Sequence, residues 1–149
     1  HRLRLMKTVD KIMTKEVVTV FETATFSEVK RIFDTHHFHH IPVMDFNNQL
    51  KGIISKEDLA KSSYILTLNT TGKTYSHKEF DYITAKDMMS NYPVFLTPDD
   101  EIDLAADVFL SNKLHALPIL EDGRLIGIIT THDLLRYAFT EMRTGVYPS

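Results

Sequence analysis

The sequence predicts an α+β fold made of two similar β-α-β-β-α units packed with pseudo-twofold symmetry into one module. An internal repeat is the main observation: Gly52-Ile53-Ile54-Ser55 recurs as Gly127-Ile128-Ile129-Thr130, and an aspartate follows three residues later each time. β-branched runs also alternate with stretches whose apolar residues recur at helical spacing. A chain of 149 residues, 43% hydrophobic and 25% charged, is typical of a compact globular domain.

The first unit opens with a short helix and a strand. We expect the helix at Val9 to Met13 and the strand at Val17 to Val20, where β-branched residues dominate. Thr25 and Glu28 have the spacing of a capping box, which marks a helix start. The apolar residues after them recur at helical spacing, so a helix is predicted from Phe26 to Thr35.

A hairpin and a second helix complete this unit. Ile41 to Met44 and Leu50 to Ile54 read as strands that flank a turn at residues 45–48. The second helix is expected to start near Ser55, and a polar linker follows. The second half repeats this order. It opens with a short helix at Ala85 to Met89 and a strand at Val94 to Leu96, and the acidic stretch Pro98 to Glu101 then starts a helix. A hairpin follows, with strands at Leu117 to Leu120 and Leu125 to Ile129 and a turn at Asp122-Gly123.

The two halves keep one register. Met13 and His39 precede Met89 and His115 by 76 positions, and the offset is 75 after the hairpin because the first turn is one residue longer. A repeat of this kind constrains the fold more than local propensity does. We therefore place repeat 1 at residues 9–66, the linker at 67–83 and repeat 2 at 84–142.

Composition narrows the function. A net charge of −3 argues against general nucleic-acid binding, and no apolar run approaches the roughly 20 residues that span a bilayer. The chain has no cysteine and no recognisable signal peptide, which favours a reducing, cytoplasmic compartment. Because the sequence opens on His1, both a piece of a longer protein and a start at Met6 stay open.

Both halves carry His-x-h-Pro-h before the hairpin and Gly-h-h-(Ser/Thr)-x-x-Asp-h after it, where h is apolar. From Val9 to Tyr137 this pattern resembles a tandem cystathionine-β-synthase (CBS) domain pair, also called a Bateman module. The resemblance implies a non-catalytic regulatory module that binds AMP, ADP, ATP or S-adenosylmethionine in clefts between its repeats. It also implies a homodimer, alone or fused to enzymes, channels or transporters.

The resemblance implies that the motif aspartate holds ribose hydroxyls while the Ser or Thr lies near phosphate. This assigns Asp58 with Ser55 and Asp133 with Thr130. A carboxylate can accept from two neighbouring hydroxyls, and a helix N-terminus attracts phosphate. The same pairs are capping boxes in outline, and both roles can coexist.

The resemblance also implies that each cleft draws on both repeats. Val18 and Val94 are candidates for adenine contact, with ordinary core valine as the alternative. His37 and Lys113 share one repeat position and suit a phosphate. The implied first cleft contains Val18, His37, Phe38, His39, Ile128, Thr130, His132 and Asp133. The implied second cleft contains Val94, Lys113, Leu114, His115, Ile53, Ser55, Glu57 and Asp58.

Other interpretations stay open at this point. The resemblance and the apolar residues Phe33, Phe109, Leu104 and Leu110 predict a homodimer with two dimerisation surfaces formed by the helices of the repeats. One alternative is therefore a ligand-free adaptor whose clefts are empty and whose purpose is dimerisation. Another is a metal-responsive module, since His36 to His40 contains four imidazoles, although a strand following a helix would point the rings several ways. Catalysis has little support, because no nucleophile–base pair, HExxH motif or P-loop occurs.

Overall fold

The computed structural model describes residues 7–68, 80–91 and 94–144. Contacts between residues divide the chain into two units. The first, which we call the continuous unit, is residues 18–93, and the second, the composite unit, joins residues 1–17 to residues 94–149. Each unit contains one hairpin and its helices, so the predicted α+β fold with two repeats is confirmed. Most of the predicted linker lies outside the described residues.

The continuous unit is a four-stranded sheet covered by helices. Strand β1 runs parallel to β2, whereas β2–β3 and β3–β4 are antiparallel, in the order β1-β2-β3-β4. Its elements are β1 (Val20–Phe21), α1 (Phe26–Thr35), β2 (His40–Met44), β3 (Leu50–Ser55), α2 (Lys56–Leu68), α3 (Ala85–Met88) and β4 (Ser90–Asn91).

Helix α1 has the predicted bounds because its start is fixed locally. The Glu28 N–H donates to Thr25 Oγ1 at 3.2 Å, and the Thr25 N–H donates to Glu28 Oε1 at 3.2 Å. This reciprocal capping box satisfies helix donors that would otherwise lack partners. Phe26, Val29 and Phe33 then lie buried on one face, where they pack into the core.

The composite unit is built on one hairpin. The turn between its two strands is Asp122-Gly123, with φ of 51° and 80°, and this left-handed pair suits a tight antiparallel hairpin. A 3₁₀ turn at Val9–Lys11 packs in the same unit. Its other elements are α4 (Ile102–Ser111), β5 (Ala116–Glu121), β6 (Arg124–Thr130) and α5 (Thr131–Thr144).

Two predicted strands need correction. The strand expected at Val17 to Val20 is only Val20–Phe21, and the one expected at Val94 to Leu96 reduces to a single parallel bridge between Leu96 and Ile119. β-branched composition suits a strand only where a neighbouring backbone pairs with it, and here that pairing is short. Strand β4 was missed, since Ser90 and Asn91 carry no strand signal of their own.

The segment before each repeat's first strand pairs with the hairpin of the other repeat. In the composite unit Thr14 and Ile128 exchange two backbone hydrogen bonds, of 2.8 and 3.0 Å. In the continuous unit Ser90 occupies the equivalent place beside Ile53. The chain therefore exchanges these two edge segments between its sequence repeats.

The exchange explains the repeated glycines. A Cβ on Gly52 would lie 2.5 Å from the Ser90 carbonyl oxygen, and one on Gly127 would lie 2.5 Å from Met13 Sδ. Glycine is needed at these two positions because another segment approaches the backbone closely.

Among the described helices, none has the length and apolar character required to cross a bilayer.

Candidate functional site

The two motif aspartates adopt the same geometry at the start of α2 and α5. The Ser55 N–H donates to Asp58 Oδ2 at 2.8 Å, and the Asp58 N–H donates to Ser55 Oγ at 2.9 Å. In the other unit the Thr130 N–H donates to Asp133 Oδ2 at 2.9 Å, and the Asp133 N–H donates to Thr130 Oγ1 at 3.1 Å. Each pair is a complete capping box, so the structural role considered from sequence is present in both repeats.

One oxygen of each carboxylate is left for other partners. Oδ2 is held by the backbone in both repeats. The Asp133 Oδ1 accepts from Arg136 Nη1 at 3.4 Å, and Asp133 is buried with 6% of its surface exposed. Asp58 is half-buried. Because a carboxylate has about four acceptor positions, capping one oxygen leaves room for hydroxyl donors at the other.

His39 and His115 lie at the same end of their hairpins as these capping boxes. The Lys56 N–H donates to the His39 carbonyl at 2.9 Å, and the Thr131 N–H donates to the His115 carbonyl at 3.0 Å. Their backbones therefore help to fix the first turns of α2 and α5, while both side chains are exposed. His37 and Lys113 are exposed as well, so their charges are accessible to an anion.

Val18 and Val94 are half-buried and do not belong to the buried core. Val18 lies two residues before Val20, which pairs in parallel with β2, and Val94 lies two residues before Leu96, which pairs in parallel with Ile119 of β5. Parallel pairing places both valines at the end of the sheet where β2 or β5 begins, which is also where His39 or His115 lies. Within each unit, a valine, a histidine, a hydroxyl and a carboxylate therefore gather at one end.

The apolar candidates are less available. Ile53 and Ile128 are only 3% and 6% exposed, so their side chains pack inside their own units. Phe38 is half-buried, with its ring centroid 6.3 Å from that of Phe33 and 4.7 Å from that of His36. Leu114 is half-buried. These positions serve packing first, and any ligand contact would involve their edges or backbone.

The first turns of the two motif helices differ in charge. Glu57 precedes Asp58, whereas His132 precedes Asp133, and both side chains are exposed. This difference is visible in the sequence, whereas the contact of Arg136 with Asp133, one turn back on the helix, is seen only in the structure. The spacing of three residues on one helix was the available signal.

The histidine run gives no support to a metal site. His36 Nδ1 lies 2.8 Å from the Ile32 carbonyl oxygen, and its ring stacks on Phe38. The His36 side chain therefore caps the C-terminal end of α1. Over residues 7–68, 80–91 and 94–144, the structure contains no group of three or more His, Cys, Asp or Glu residues that could hold a metal ion.

Comparison with known proteins places this geometry in a family. The sequence model of the CBS domain matches residues 9–64 and again residues 85–140. Inosine-5′-monophosphate dehydrogenase of Methanocaldococcus jannaschii is 30% identical over 137 residues, which are 91% of this chain and 24% of that enzyme. The chain thus spans about a quarter of that relative.

Two solved structures share the fold. The CBS domain pair of protein MJ0100, in complex with 5′-methylthioadenosine and S-adenosyl-L-methionine, has a TM-score of 0.75 at 23% identity and covers 91% of this chain and 98% of that one. CBSX2 in complex with AMP has a TM-score of 0.70 at 26% identity, with the same coverages of 91% and 98%.

Proposed function

The chain belongs to the CBS-domain family, and from this membership we propose that it is a regulatory module that senses an adenosine-containing ligand. CBS pairs are regulatory ligand-binding modules. The observation that carries the proposal is the pair of anchored carboxylates. Asp58 and Asp133 each have Oδ2 fixed by a backbone amide, which orients Oδ1 for the two hydroxyls of a ribose.

The remaining groups fit the other parts of such a ligand. Val18 and Val94 offer half-buried apolar surface to an adenine ring. Ser55 and Thr130 stand at helix N-termini, where amide groups and the helix dipole favour phosphate. AMP, ADP, ATP and S-adenosylmethionine share the adenosine part, so the proposal names this chemistry. The neighbours solved with AMP and with S-adenosyl-L-methionine support it.

The module would act through linkage and not through chemistry on its ligand. A ligand that prefers one arrangement of the protein shifts the population toward that arrangement. The CBS-domain model matches both halves of the chain, and CBS pairs are regulatory modules and not catalytic ones. We therefore propose regulation of a partner protein, in a cytoplasmic setting, as the biological role.

Thermal unfolding with added nucleotides tests the proposal. Any compound that binds the native state raises the melting temperature. At a ligand concentration 100 times Kd, the free energy of unfolding rises by about 2.7 kcal/mol. We expect adenosine, AMP, ADP, ATP or S-adenosylmethionine to raise it, and ribose 5-phosphate to have no effect at equal concentration. Mass spectrometry of small molecules carried through mild purification would identify the natural ligand. No shift with any of the five, and no co-purified adenosine compound, would contradict the proposal.

Self-association is the second part of the proposal. Phe33 and Phe109, which sequence reasoning offered for dimerisation, are only 2% and 8% exposed, so they belong to the cores and are removed from that role. Leu104 and Leu110 are 43% and 85% exposed. Exposed apolar side chains on helices favour a homodimer, and a dimer that bound no nucleotide would be the adaptor considered above.

A further inference from the structure

Two methionines occupy equivalent places in the edge segments that the repeats exchange. Met13 directly precedes Thr14, which pairs with β6, and Met89 directly precedes Ser90, which pairs with β3. The two methionines are 76 positions apart, so both repeats carry a thioether at the same structural position. Neither residue belongs to the candidate ligand site.

Each thioether lies directly against the backbone of a hairpin glycine. A Cβ on Gly127 would lie 2.5 Å from Met13 Sδ, and a Cβ on Gly52 would lie 2.7 Å from Met89 Sδ. The Cγ atom of each methionine would lie 3.0 Å from the same added Cβ. The sulfur therefore fills the space beside the glycine, and that side has no room for a further atom bonded to sulfur.

Hydrogen bonds fix the backbone of both methionines. The Met13 N–H donates to the Val9 carbonyl at 2.9 Å, and the Met89 N–H donates to the Ala85 carbonyl at 2.9 Å. Val9 and Ala85 are completely buried. A methionine that no longer fits against its glycine has two ways to move. Its side chain turns away, or its segment leaves the hairpin, and both movements remove the contact that holds the segment's edge in place.

Partial exposure makes these two sulfurs available to an oxidant. Met13 and Met89 are half-buried. Met44 and Met88 are only 5% exposed and lie in the core, whereas Met142 is 61% exposed on α5. Among the methionines that the structure describes, Met13 and Met89 thus combine access from solvent with a contact on which the pairing of an edge segment depends.

We propose that Met13 and Met89 are oxidation sites at which a peroxide releases the exchanged edge segments. With hydrogen peroxide, the sulfur lone pair attacks one oxygen and the O–O bond breaks. The departing hydroxide takes the proton from the transferred oxygen and leaves as water. Sulfur loses two electrons, the peroxide gains them, and the thioether becomes a sulfoxide, which methionine sulfoxide reductases convert back.

A sulfoxide fits poorly where the thioether lies. Oxidation turns a flexible apolar side chain into a polar, chiral one, and its oxygen requires hydrogen-bond partners that contact with a glycine does not supply. Release of the segment would leave the edge of β6 with unpaired backbone groups, including the Ile128 N–H, which donates to the Thr14 carbonyl at 3.0 Å.

The change would reach the candidate ligand residues along β6. Gly127 stands three residues before Thr130, whose hydroxyl accepts from the Asp133 N–H. Oxidation should therefore weaken AMP binding as well, a consequence that rests on the proposed function. Release of the segment itself does not depend on any ligand.

The order of oxidation is the first test. Under increasing hydrogen peroxide, peptide mass spectrometry should find Met142 oxidised first and then Met13 and Met89. Met44 and Met88 should stay reduced until the protein unfolds, because burial protects them. Oxidation of Met13 and Met89 only together with the two buried methionines would overturn the proposal.

Hydrogen exchange measures the release itself. The experiment uses a background in which Met6→Leu and Met142→Leu remove the other oxidisable positions outside the core. Peroxide should accelerate exchange of the Ile128 amide by about tenfold or more, because this amide loses its backbone partner. Adding Met13→Leu, which keeps the side-chain volume and cannot form a sulfoxide, should abolish the acceleration. Unchanged exchange after oxidation of Met13, or equal acceleration with Met13→Leu, would refute the proposal.

Glutamine gives a test without peroxide, because its side chain is polar and similar in length to methionine. Met13→Gln should lower the urea midpoint and accelerate exchange at Ile128, whereas Met142→Gln should do neither. Equal effects of the two substitutions would count against the assignment. Calorimetry with AMP separates the two proposals. A parent that binds no AMP refutes sensing while the exchange rates still decide release, and a Met13→Gln protein with parental AMP affinity refutes the effect on the ligand.

Discussion

Asp133 and Arg136 form an ion pair across one turn of α5, with Arg136 Nη1 3.4 Å from Asp133 Oδ1. Over the part of the chain that the structure describes, Asp58 has no such pair, although Lys61 occupies the position equivalent to Arg136. The backbone already holds Oδ2 of both aspartates. The two carboxylates therefore differ at Oδ1, the oxygen that is left for a ligand. We expect the two repeats to bind a nucleotide with different affinities.

Asp133→Ala should weaken AMP binding strongly. Loss of a charge-assisted hydrogen bond costs roughly 1.5–3 kcal/mol, which lowers the affinity about 10- to 150-fold. The substitution also removes a cap, so unfolding should become easier by about 0.5–2 kcal/mol. Calorimetric titration with AMP and thermal unfolding measure the two effects.

Asp87→Ala is the matched control for the cap. The Thr84 N–H donates to Asp87 Oδ2 at 2.9 Å in a capping box of the same kind, outside the candidate residues. It should lower stability similarly and leave AMP affinity unchanged. Equal AMP affinity of Asp133→Ala and the parent would remove Asp133 from the ribose role.

Glu57→Gln should improve binding of anionic nucleotides at the Asp58 motif. A like-charge pair about 6 Å apart costs roughly 2–3 kcal/mol at an effective dielectric near 20, before salt screening. Glu57 is exposed in the first turn of α2, where it suits the helix dipole in the empty protein and opposes a phosphate. Titrations with ATP and with adenosine should show the gain for ATP alone.

His132→Ala should weaken ATP binding at the Asp133 motif. His132 is exposed in the first turn of α5, where its ring can donate a hydrogen bond to a phosphate. Adenosine, which lacks phosphate, is the control ligand. If Glu57→Gln gains nothing and His132→Ala loses nothing, the charge asymmetry does not control nucleotide choice.

Gly52→Ala and Gly127→Ala should both destabilise the fold, by about 1–3 kcal/mol as for other overpacked sites. The two variants should differ in how far a second substitution restores their stability. The added Cβ at residue 52 meets the Ser90 backbone oxygen at 2.5 Å, whereas at residue 127 the nearest atom is Met13 Sδ, in a flexible side chain. Met13→Ala should therefore recover part of the loss from Gly127→Ala, measured by urea unfolding.

The paired control is Met89→Ala in the Gly52→Ala background. Met89 Sδ lies 2.7 Å from the added Cβ, but removing it leaves the Ser90 oxygen in place, so little recovery is expected. Equal rescue by both methionine substitutions would show that the backbone of the exchanged segment yields easily.

Lys7 and Glu141 should make stability depend on alkaline pH. The hydrogen bond from Lys7 Nζ to Glu141 Oε1, at 3.1 Å, raises the pKa of Lys7 above its ordinary value, with a further contribution from Tyr137. Because the folded pKa is raised, the stabilisation is fully present below the unfolded value of about 10.4 and is lost as the pH rises through the folded pKa. Glu141→Gln should melt below the parent at pH 7–9.

The two melting curves should converge once the pH has risen beyond the folded pKa of Lys7. Lys7→Met is the matched variant, and combining it with Glu141→Gln should add little further loss, since both remove one interaction. A difference between parent and Glu141→Gln that persists unchanged at high pH would assign the effect to packing and not to the ion pair.

The sequence predicts the fold correctly where a few neighbouring residues decide the local structure. Thr25 and Glu28 mark the start of α1, and Asp122-Gly123 fixes the hairpin turn, because a few neighbouring residues supply the whole interaction. For Asp58 and Asp133 the structure shows the capping role, whereas their ligand-binding role stays a prediction that rests on the two matching copies of the motif. The exchange of Thr14 onto β6 could not be read, since this pairing joins residues more than a hundred positions apart. Arg136 was overlooked because one arginine on a helix is an ordinary surface residue until its partner is seen.

The exchanged edge segments make each sequence repeat incomplete by itself. A fragment of residues 18–66 would keep β3 but lack β4, leaving a row of unpaired backbone groups that invites another strand. A stand-alone fragment is better bounded at residues 18 and 93, where the contact unit closes. The same arrangement suggests how the chain evolved. Two copies of one ancestral repeat could first have formed a domain-swapped dimer by exchanging their N-terminal segments, and fusion of the two copies then gives this chain.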